Sequence, residues 1–262
     1  MRKIAVNACR LVLAVTLILS GFVKAVDPLG TQYKIQDYLT AMGLGGYVPD
    51  ILTLLASVTL SATEFLLGIC LLFAIRRRLV SKITLAMMAV MTLLTLWLAI
   101  ADPIHDCGCF GDALVLTNWQ TLWKNVVLTA MAVVVWRWPL DMPRLISESN
   151  QWIVFNYSGA FIIMVVSFRS LYTLPPFDFR PYHIGADLRG GWQKMMDGED
   201  SPYSDFFIET ADEGEDITEQ VLGDEGYTFL LIAPHLEQAD DSQLDELNRI
   251  YDYSVEQGYP LY

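Results

Sequence analysis

The sequence predicts an all-α bundle of membrane-spanning helices, followed by a small acidic α/β segment outside the membrane. Several apolar stretches approach 20 residues, the length at which a helix crosses a bilayer with its backbone hydrogen-bonded internally. Of the 262 residues, 53% are apolar and only 18% are charged. The charge is also divided, because residues 1–171 carry a net +4 and residues 172–262 a net −17. Such a division predicts two physically different regions.

Five segments are long and apolar enough to be predicted as membrane spans, and they cover residues 4–26, 51–75, 83–101, 119–138 and 152–171. The first resembles a signal peptide in its basic start, but Arg10 interrupts its apolar run and no small-residue cleavage site follows. We therefore predict a retained helix. The expected organisation is a four-helix bundle over 1–138, a loop and fifth span over 139–171, and an acidic segment over 172–262.

The basic residues of the connecting loops predict the orientation. Arg76, Arg77 and Arg78 follow the second span, and Arg137 and Arg144 follow the fourth. Under the positive-inside rule these loops and the N-terminus are cytoplasmic. The loops 27–50 and 102–118 and the segment 172–262 then face the periplasm of a bacterial inner membrane. The lipid bilayer is the first expected partner, and the acidic segment excludes nucleic acid because like charges repel.

The acidic segment contains the start of an α/β unit. Residues 227–233 (YTFLLIA) have the pattern of a buried strand, and Asp240 or Asp241 can cap a following helix that ends at Gly258. Residues 260–262 then begin a second strand. One strand and one helix bury too little surface to fold alone, so the unit is either incomplete or folds against a partner. The order is similar to the opening of thioredoxin-like domains, although this segment contains no cysteine.

The loop between the third and fourth spans contains Asp106-Cys107-Gly108-Cys109-Phe110-Gly111. A disulfide between Cys107 and Cys109 would close a very small ring, so we expect a strained, easily reduced bond. Gly108 and Gly111 let the backbone bend around it. Protonated His105 would favour a thiolate, and the neighbouring carboxylate of Asp106 opposes this effect.

Two alternatives to redox chemistry remain for this pair. It can be a purely structural disulfide, or two ligands of an adventitious metal, although two cysteines and His105 leave a zinc site incomplete. We therefore assign no metal. Cys9 and Cys70, which fall within predicted spans, are interpreted as small apolar residues of the bundle.

Glu64 lies within the second span, where a carboxylate is costly and needs a partner. Depth along the helices favours Arg10 as that partner, whereas Lys24 is expected to extend to the opposite membrane surface. An ion pair fixing helix register and a proton-coupled or quinone-binding group are both open for Glu64. Asn125 is expected to face the bundle interior and hydrogen-bond there.

At these residues the chain resembles the DoxX/MauE group of small membrane proteins. The matching residues cover about 1–138 and include Arg10, Ser20-Gly21, Lys24, Asp27-Pro28, Gly30-Thr31, Lys34, Asp37-Tyr38-Leu39, Glu64, Gly68, Cys107-Gly108-Cys109-Phe110-Gly111, Trp119 and Lys124-Asn125. The resemblance implies a four-helix bundle similar to the quinone-linked disulfide-forming oxidoreductases of the DsbB and vitamin K epoxide reductase groups. It also implies a link to maturation of a disulfide-rich dehydrogenase, with which MauE is associated.

Two functions follow as hypotheses. In the first, Cys107 and Cys109 exchange electrons with a periplasmic thiol or disulfide partner, and the interior near Glu64 and Arg10 holds a quinone. The chain has one exposed cysteine pair where quinone-linked disulfide generators use two, so a second redox-active partner is needed. In the second, the chain is a non-enzymatic anchor or assembly subunit whose acidic segment docks a partner. A small transporter would rest on Glu64 alone, and no inverted repeat supports it.

Overall fold

The structure is a computed structural model that describes residues 1–45, 47–102, 116–173, 185–199, 201, 203, 207–209, 215–223, 228 and 241–259. The chain divides into two compact units, Met1–His183 and Ile184–Tyr262. Within the described ranges the regular structure is helical and contains no strand. The all-α membrane bundle expected from the sequence is confirmed.

The first unit begins with five α-helices. They are α1 (Arg2–Val26), α2 (Pro28–Ala41), α3 (Asp50–Leu72), α4 (Arg77–Ala101) and α5 (Asn118–Arg137). After two short 3₁₀ turns, Pro139–Asp141 and Glu148–Asn150, a further helix consists of α6 (Gln151–Ala160), a π-helical stretch Phe161–Phe168 and α7 (Arg169–Tyr172).

Four helices of the described chain are long and apolar enough to cross a membrane: α1, α3, α4 and the helix Glu148–Tyr172. They correspond to the first, second, third and fifth predicted spans. The fourth predicted span also forms a helix, α5, but it is not among these four. Its first turns contain Asn118, Gln120, Lys124 and Asn125, which lower its mean hydropathy.

The position of α5 explains why a less apolar helix belongs to the bundle. It packs antiparallel to α4, with Asn125 Nδ2 donating to Thr95 Oγ1 at 3.3 Å and the hydroxyls of Thr92 and Thr129 2.7 Å apart. The side chain of Thr117 accepts from Gln120 N in a capping box that begins the helix. Many polar side chains of α5 therefore have hydrogen-bond partners inside the protein. A hydropathy average counts these residues as polar and does not include their partners.

The helices α1, α3, α4 and α5 form the bundle. α1 packs against α3 and α5, and α4 packs against the same two helices. The tightest contact lies between α1 and α3, where a Cβ on Gly21 would approach Phe65 N to 2.5 Å and Ser61 O to 2.7 Å. Gly68 of α3 lies equally close to the backbone of α1. Small residues permit such close helix packing in membranes, where van der Waals contact is the main attraction.

The chain continues from α1 into α2, which packs along the first half of α3. The side chain of Asp27 accepts from Gly30 N and caps α2, and Ser57 Oγ donates to Pro28 O at 2.7 Å. Further along, Gln32 Nε2 donates to Thr53 Oγ1 at 3.2 Å. α3 therefore extends well past the end of α1, and α2 covers the excess.

The second unit is described in part. It contains α8 (Leu188–Met196), α9 (Thr218–Gly223) and α10 (Asp241–Gln257). Hydrogen bonds from the hydroxyl and the backbone N–H of Thr218 lower the pKa of the exposed Asp216 carboxyl. This local contact is therefore favoured at neutral pH and is lost as the pH falls through the lowered pKa.

The predicted helix after Asp241 is confirmed, and it ends at Gly258 in the left-handed conformation (φ +70°) that favours glycine. Of the predicted strand 227–233, only Thr228 is described, and it has no regular structure. Residues 260–262 lie outside the described residues. The likeness to thioredoxin-like domains stays a prediction.

The close packing at Gly21 can be tested by adding one methyl group. Gly21→Ala should lower the free energy of unfolding by about 1–3 kcal/mol, because the new Cβ meets the α3 backbone, which cannot rotate away. Stability can be measured by unfolding in mixed detergent micelles with increasing denaturing detergent. Gly159→Ala is the matched control, since its Cβ would meet only Leu66 methyl groups at 3.8 Å. Equal stability of the two variants would contradict the close α1–α3 contact.

Candidate functional site

A buried ion pair joins α1 and α3 inside the bundle. Lys24 Nζ lies 2.7 Å from Glu64 Oε1, and Ser20 Oγ donates to Glu64 Oε2 at 2.7 Å. Lys24 and Glu64 retain 6% and 3% of their accessible surface. Both carboxylate oxygens thus have a partner, which a buried carboxylate requires. Ser20 and Lys24 are four residues apart, a spacing that places both on one face of α1.

This pairing corrects two expectations: Arg10 is not the partner of Glu64, and Lys24 does not extend to the membrane surface. The predicted depths of both residues were measured from the start of α1 and the end of α3, on the assumption that these two ends lie at one level. However, Gly68 packs against Ala14 and Ile18, so Arg10 lies about one turn past Gly68, level with the last turn of α3. The contact of Gly21 with α3 sets the register, and side chains point toward the N-terminus of their own helix. The Lys24 ammonium is therefore directed toward Glu64.

A small cavity adjoins the pair. It has a volume of about 30 Å³ and is bordered by Ser20, Lys24 and Glu64 together with Lys124 and Asn125 of α5. Three methionines of α4 form much of its apolar wall: Met87, Met88 and Met91. The volume accommodates about one water molecule. We call the five polar residues Ser20, Lys24, Glu64, Lys124 and Asn125 the polar cluster.

The structure places Asn125 as expected, since it is 4% exposed and its side chain donates to Thr95. Lys124 and Ser20 were not predicted as site residues. Both were identified from the sequence only among the residues that match the DoxX/MauE group. The spacing of Ser20 and Lys24 was the signal that could have identified the first. No comparable pattern within α5 identifies Lys124.

Arg10 is buried elsewhere in the bundle, at 5% exposure. In the part of the chain that the structure describes, its Nε and Nη1 atoms have no hydrogen-bond partner. It lies on the face of α1 that also contains the core residues Leu13, Ala14 and Leu17. A buried guanidinium is costly, so Arg10 is a second polar position in the interior, separate from the Glu64 pair.

The predicted redox residues Cys107 and Cys109 and the neighbouring His105, Asp106, Gly108 and Gly111 lie outside the described residues. The two ends of their loop are described. Asn118 Nδ2 donates to Asp102 Oδ1 at 2.8 Å, so the last residue before the loop is joined to the first turn of α5. Asp102 has the left-handed φ of +44°, which turns the chain at the end of α4.

Asp102 and Asn118 lie at the same end of the bundle as the polar cluster. We call this end of the bundle the loop end. Lys124 follows Asn118 by six residues on α5, about 9 Å along the helix. Of the remaining cysteines, Cys70 is 3% exposed in the core and Cys9 is partly buried, and both are free thiols. Their interpretation as small apolar residues of the bundle agrees with this burial.

A bundle of apolar helices with a buried ion pair defines an integral membrane protein of the four-helix class. The chain belongs to the MauE family, a DoxX-like membrane family: the family model described as "Methylamine utilisation protein MauE" matches residues 2–137, just over half of the chain. The match covers α1 to α5 and thus all of the four-helix bundle. No curated protein and no solved structure matches the chain significantly. The DoxX/MauE resemblance expected from the sequence is confirmed.

Removing one member of the buried pair should be costly. Glu64→Leu should lower the free energy of unfolding by about 3–5 kcal/mol, because it leaves the Lys24 ammonium without its carboxylate in an apolar interior. The double variant Lys24→Leu/Glu64→Leu should lose much less than the sum of the single losses, since it removes both charges together.

Detergent unfolding of the four proteins of this double-mutant cycle provides the measurement. A matched control is Glu148→Leu, which removes a carboxylate from an exposed pair with Arg144; we expect a change of less than about 1 kcal/mol. Additive losses for Lys24 and Glu64 would show that the two side chains do not interact.

Proposed function

We propose that this MauE-family protein is a membrane-integral component of thiol–disulfide exchange that supports the maturation of an extracytoplasmic client protein. Cys107 and Cys109 are the exchanging pair. The observation that supports this most is the position of the buried Lys24–Glu64 pair at the end of the bundle where the cysteine loop is anchored. An intramembrane ion pair beside a loop with two cysteines is a costly arrangement that packing alone does not require.

Chain length restricts where the cysteines can act. Cys107 follows Asp102 by five residues, so the extended chain carries it no farther than roughly 17 Å from the Asp102 Cα. Lys124 lies about 9 Å along α5 from Asn118, and Glu64 borders the same cavity as Lys124. The exchange chemistry is therefore tied to the loop end, and the polar cluster is the nearest buried set of ionisable groups in the described chain.

The exchange step conserves electrons and protons. A client thiolate attacks one sulfur of the Cys107–Cys109 disulfide and forms a mixed disulfide, which releases the other sulfur as a thiolate. The second client thiolate then attacks the mixed disulfide, so the client becomes oxidised and both Cys107 and Cys109 become reduced. Two electrons move from client to loop, and the released thiolates take up the client's two protons from solvent.

The pair then needs an acceptor for those two electrons. A quinone does not fit the cavity beside the Lys24–Glu64 pair, because about 30 Å³ is far smaller than a quinone ring. We therefore infer that a second partner disulfide reoxidises the loop by the same exchange in reverse. The ion pair is proposed to hold α1 and α3 in register and so to position the loop end.

The orientation is part of the proposal. The arginine-rich turn at residues 76–78 and the cysteine loop lie at opposite ends of α4, which has 25 residues and a length of about 37 Å. The positive-inside rule then favours a bacterial inner membrane with the arginines cytoplasmic and the loop periplasmic. Membership of a membrane family and the apolar helices support the bilayer itself as the environment.

An assembly role is the second candidate. One face of α10 presents the apolar side chains Leu244, Tyr251 and Val255, which are 43%, 57% and 61% exposed. Exposed apolar positions of this kind are typical of a surface that meets another protein. In this alternative the acidic segment holds a partner, and the cysteine pair is a structural link.

Substitution of the loop cysteines separates the two functions. In cells, Cys107→Ser/Cys109→Ser should lower oxidation of the client to the level of a strain lacking the protein, because no disulfide remains to exchange. A client variant that lacks the second of its two exchanging cysteines should accumulate a mixed disulfide with the loop, because no client thiolate remains to attack it; this species is detectable as a reducible higher-mass band. Thiol-alkylation gel shifts measure both outcomes.

Cys9→Ser/Cys70→Ser is the matched control, because it removes two cysteines from the bundle and leaves the loop intact. It should retain normal client oxidation. If the loop variant also oxidises its client normally while deletion of residues 172–262 abolishes the phenotype, the assembly role replaces the exchange role. If an impermeant thiol reagent reaches reduced Cys107 only in opened cells, the proposed orientation is wrong.

A further inference from the structure

A large groove enters the first unit at the opposite end from the polar cluster. It lies between α3, α4 and α6, has a volume of about 680 Å³, and extends from the turn between α3 and α4 to the level of Thr63. Its body is apolar, with walls formed by Leu66, Leu79, Ile83 and Phe155. This volume is within the range of cavities that hold small organic ligands.

Divergence of two helices creates the groove. α3 packs against both α4 and α6, whereas in the described chain α4 and α6 make no comparable contact. The turn before α4 fixes the mouth: Ala74 and Arg76 both have left-handed backbones (φ +54° and +37°), and Arg76 N donates to Gln151 Oε1 at 3.3 Å. The space between α4 and α6 is therefore built into the fold and opens toward the lipid.

The mouth has a net positive charge. Arg76 borders the groove and its side chain is exposed. Glu148 also borders it, but its carboxylate is paired with Arg144 at 2.6 Å, so this pair is neutral overall. Arg77 points elsewhere and donates to the carbonyls of Leu140 and Met142. Arg76 is thus the charge available to a ligand headgroup at this position.

We propose that this groove binds an anionic glycerophospholipid, with one acyl chain between α4 and α6 and its phosphate beside Arg76. An apolar crevice that opens into a bilayer is filled by a hydrocarbon chain, because lipid tails surround it. The basic mouth then selects among lipids by headgroup charge, as basic pockets between membrane helices do. A quinone would fill the body of the groove, but its neutral carbonyl oxygens gain less from the Arg76 guanidinium than an anionic phosphate does.

Binding can be measured on the full-length protein in neutral detergent by native mass spectrometry. The probes are phosphatidylglycerol and phosphatidylcholine with identical acyl chains. The unmodified protein should prefer phosphatidylglycerol, and Arg76→Gln should reduce that preference about fivefold, the effect of one basic residue near an anionic lipid. Arg76→Lys should retain most of it, which also shows that a change at this left-handed position does not unfold the protein.

Arg78→Gln is the matched control, because it removes the same charge two residues away from an exposed arginine that does not border the groove. It should leave the preference unchanged. Trp152 borders the groove and reports on the acyl chain. Phosphatidylglycerol with brominated acyl chains should quench more fluorescence than the brominated phosphatidylcholine, and this excess should disappear in Trp152→Phe.

Three results would overturn the proposal. Equal weakening by Arg76→Gln and Arg78→Gln would show a general surface attraction without a site. Equal binding of the two lipids by the unmodified protein would remove the role of the basic mouth. Displacement of phosphatidylglycerol by a stoichiometric amount of an isoprenoid quinone, with Arg76→Gln binding that quinone normally, would assign the groove to a neutral ligand.

Discussion

The pairing of Lys24 with Glu64 is the constraint to which the first half of the bundle conforms. A carboxylate and an ammonium cannot be left separate in an apolar interior, so α1 and α3 must meet in a register that brings these two groups together. Gly21 allows the approach, because any side chain there would meet the backbone of α3. Close packing and charge pairing are therefore one requirement, since neither is satisfied if the helices slide by a turn.

This requirement also explains α2. The register fixed by the pair leaves the first half of α3 extending beyond the end of α1, with polar groups such as Thr53 and Ser57 that need partners. α2 supplies them through Gln32 and the carbonyl of Pro28. The break at Asp27, where one helix ends and the next is capped, lets the chain continue along α3.

Hydropathy and charge were sufficient to predict the fold class, because the membrane requires long apolar helices and the acidic residues are concentrated after residue 171. Depth was harder to predict. Placing Arg10 opposite Glu64 required the start of α1 and the end of α3 to lie at one level. No local pattern records that Gly68 meets Ala14 and Ile18, a contact that brings Arg10 level with the last turn of α3 instead. For α5 the mean hydropathy was misleading. Its polar residues lower that average, although Asn125 and Thr129 are hydrogen-bonded to side chains of α4. Contacts between helices determine both the level of Arg10 and the place of α5 in the bundle, and these contacts cannot be derived from a single sequence.

The two ends of the membrane unit differ in how tightly their helices pack and therefore in what they can bind. At the loop end the helices are tightly packed, the cavity holds about one water, and ionisable groups are paired, so this region suits charge balance and positioning better than ligand binding. At the other end α4 and α6 diverge around a groove more than twenty times larger, and Arg76 lies at its mouth. Of these two described places, the second is the one with room for an amphiphilic ligand, and its mouth lies at the opposite end of α4 from Asp102. The two ends of the membrane unit therefore suit different roles, since the buried charge pair holds α1 and α3 in register at one end and the diverging helices leave an apolar space of about 680 Å³ at the other.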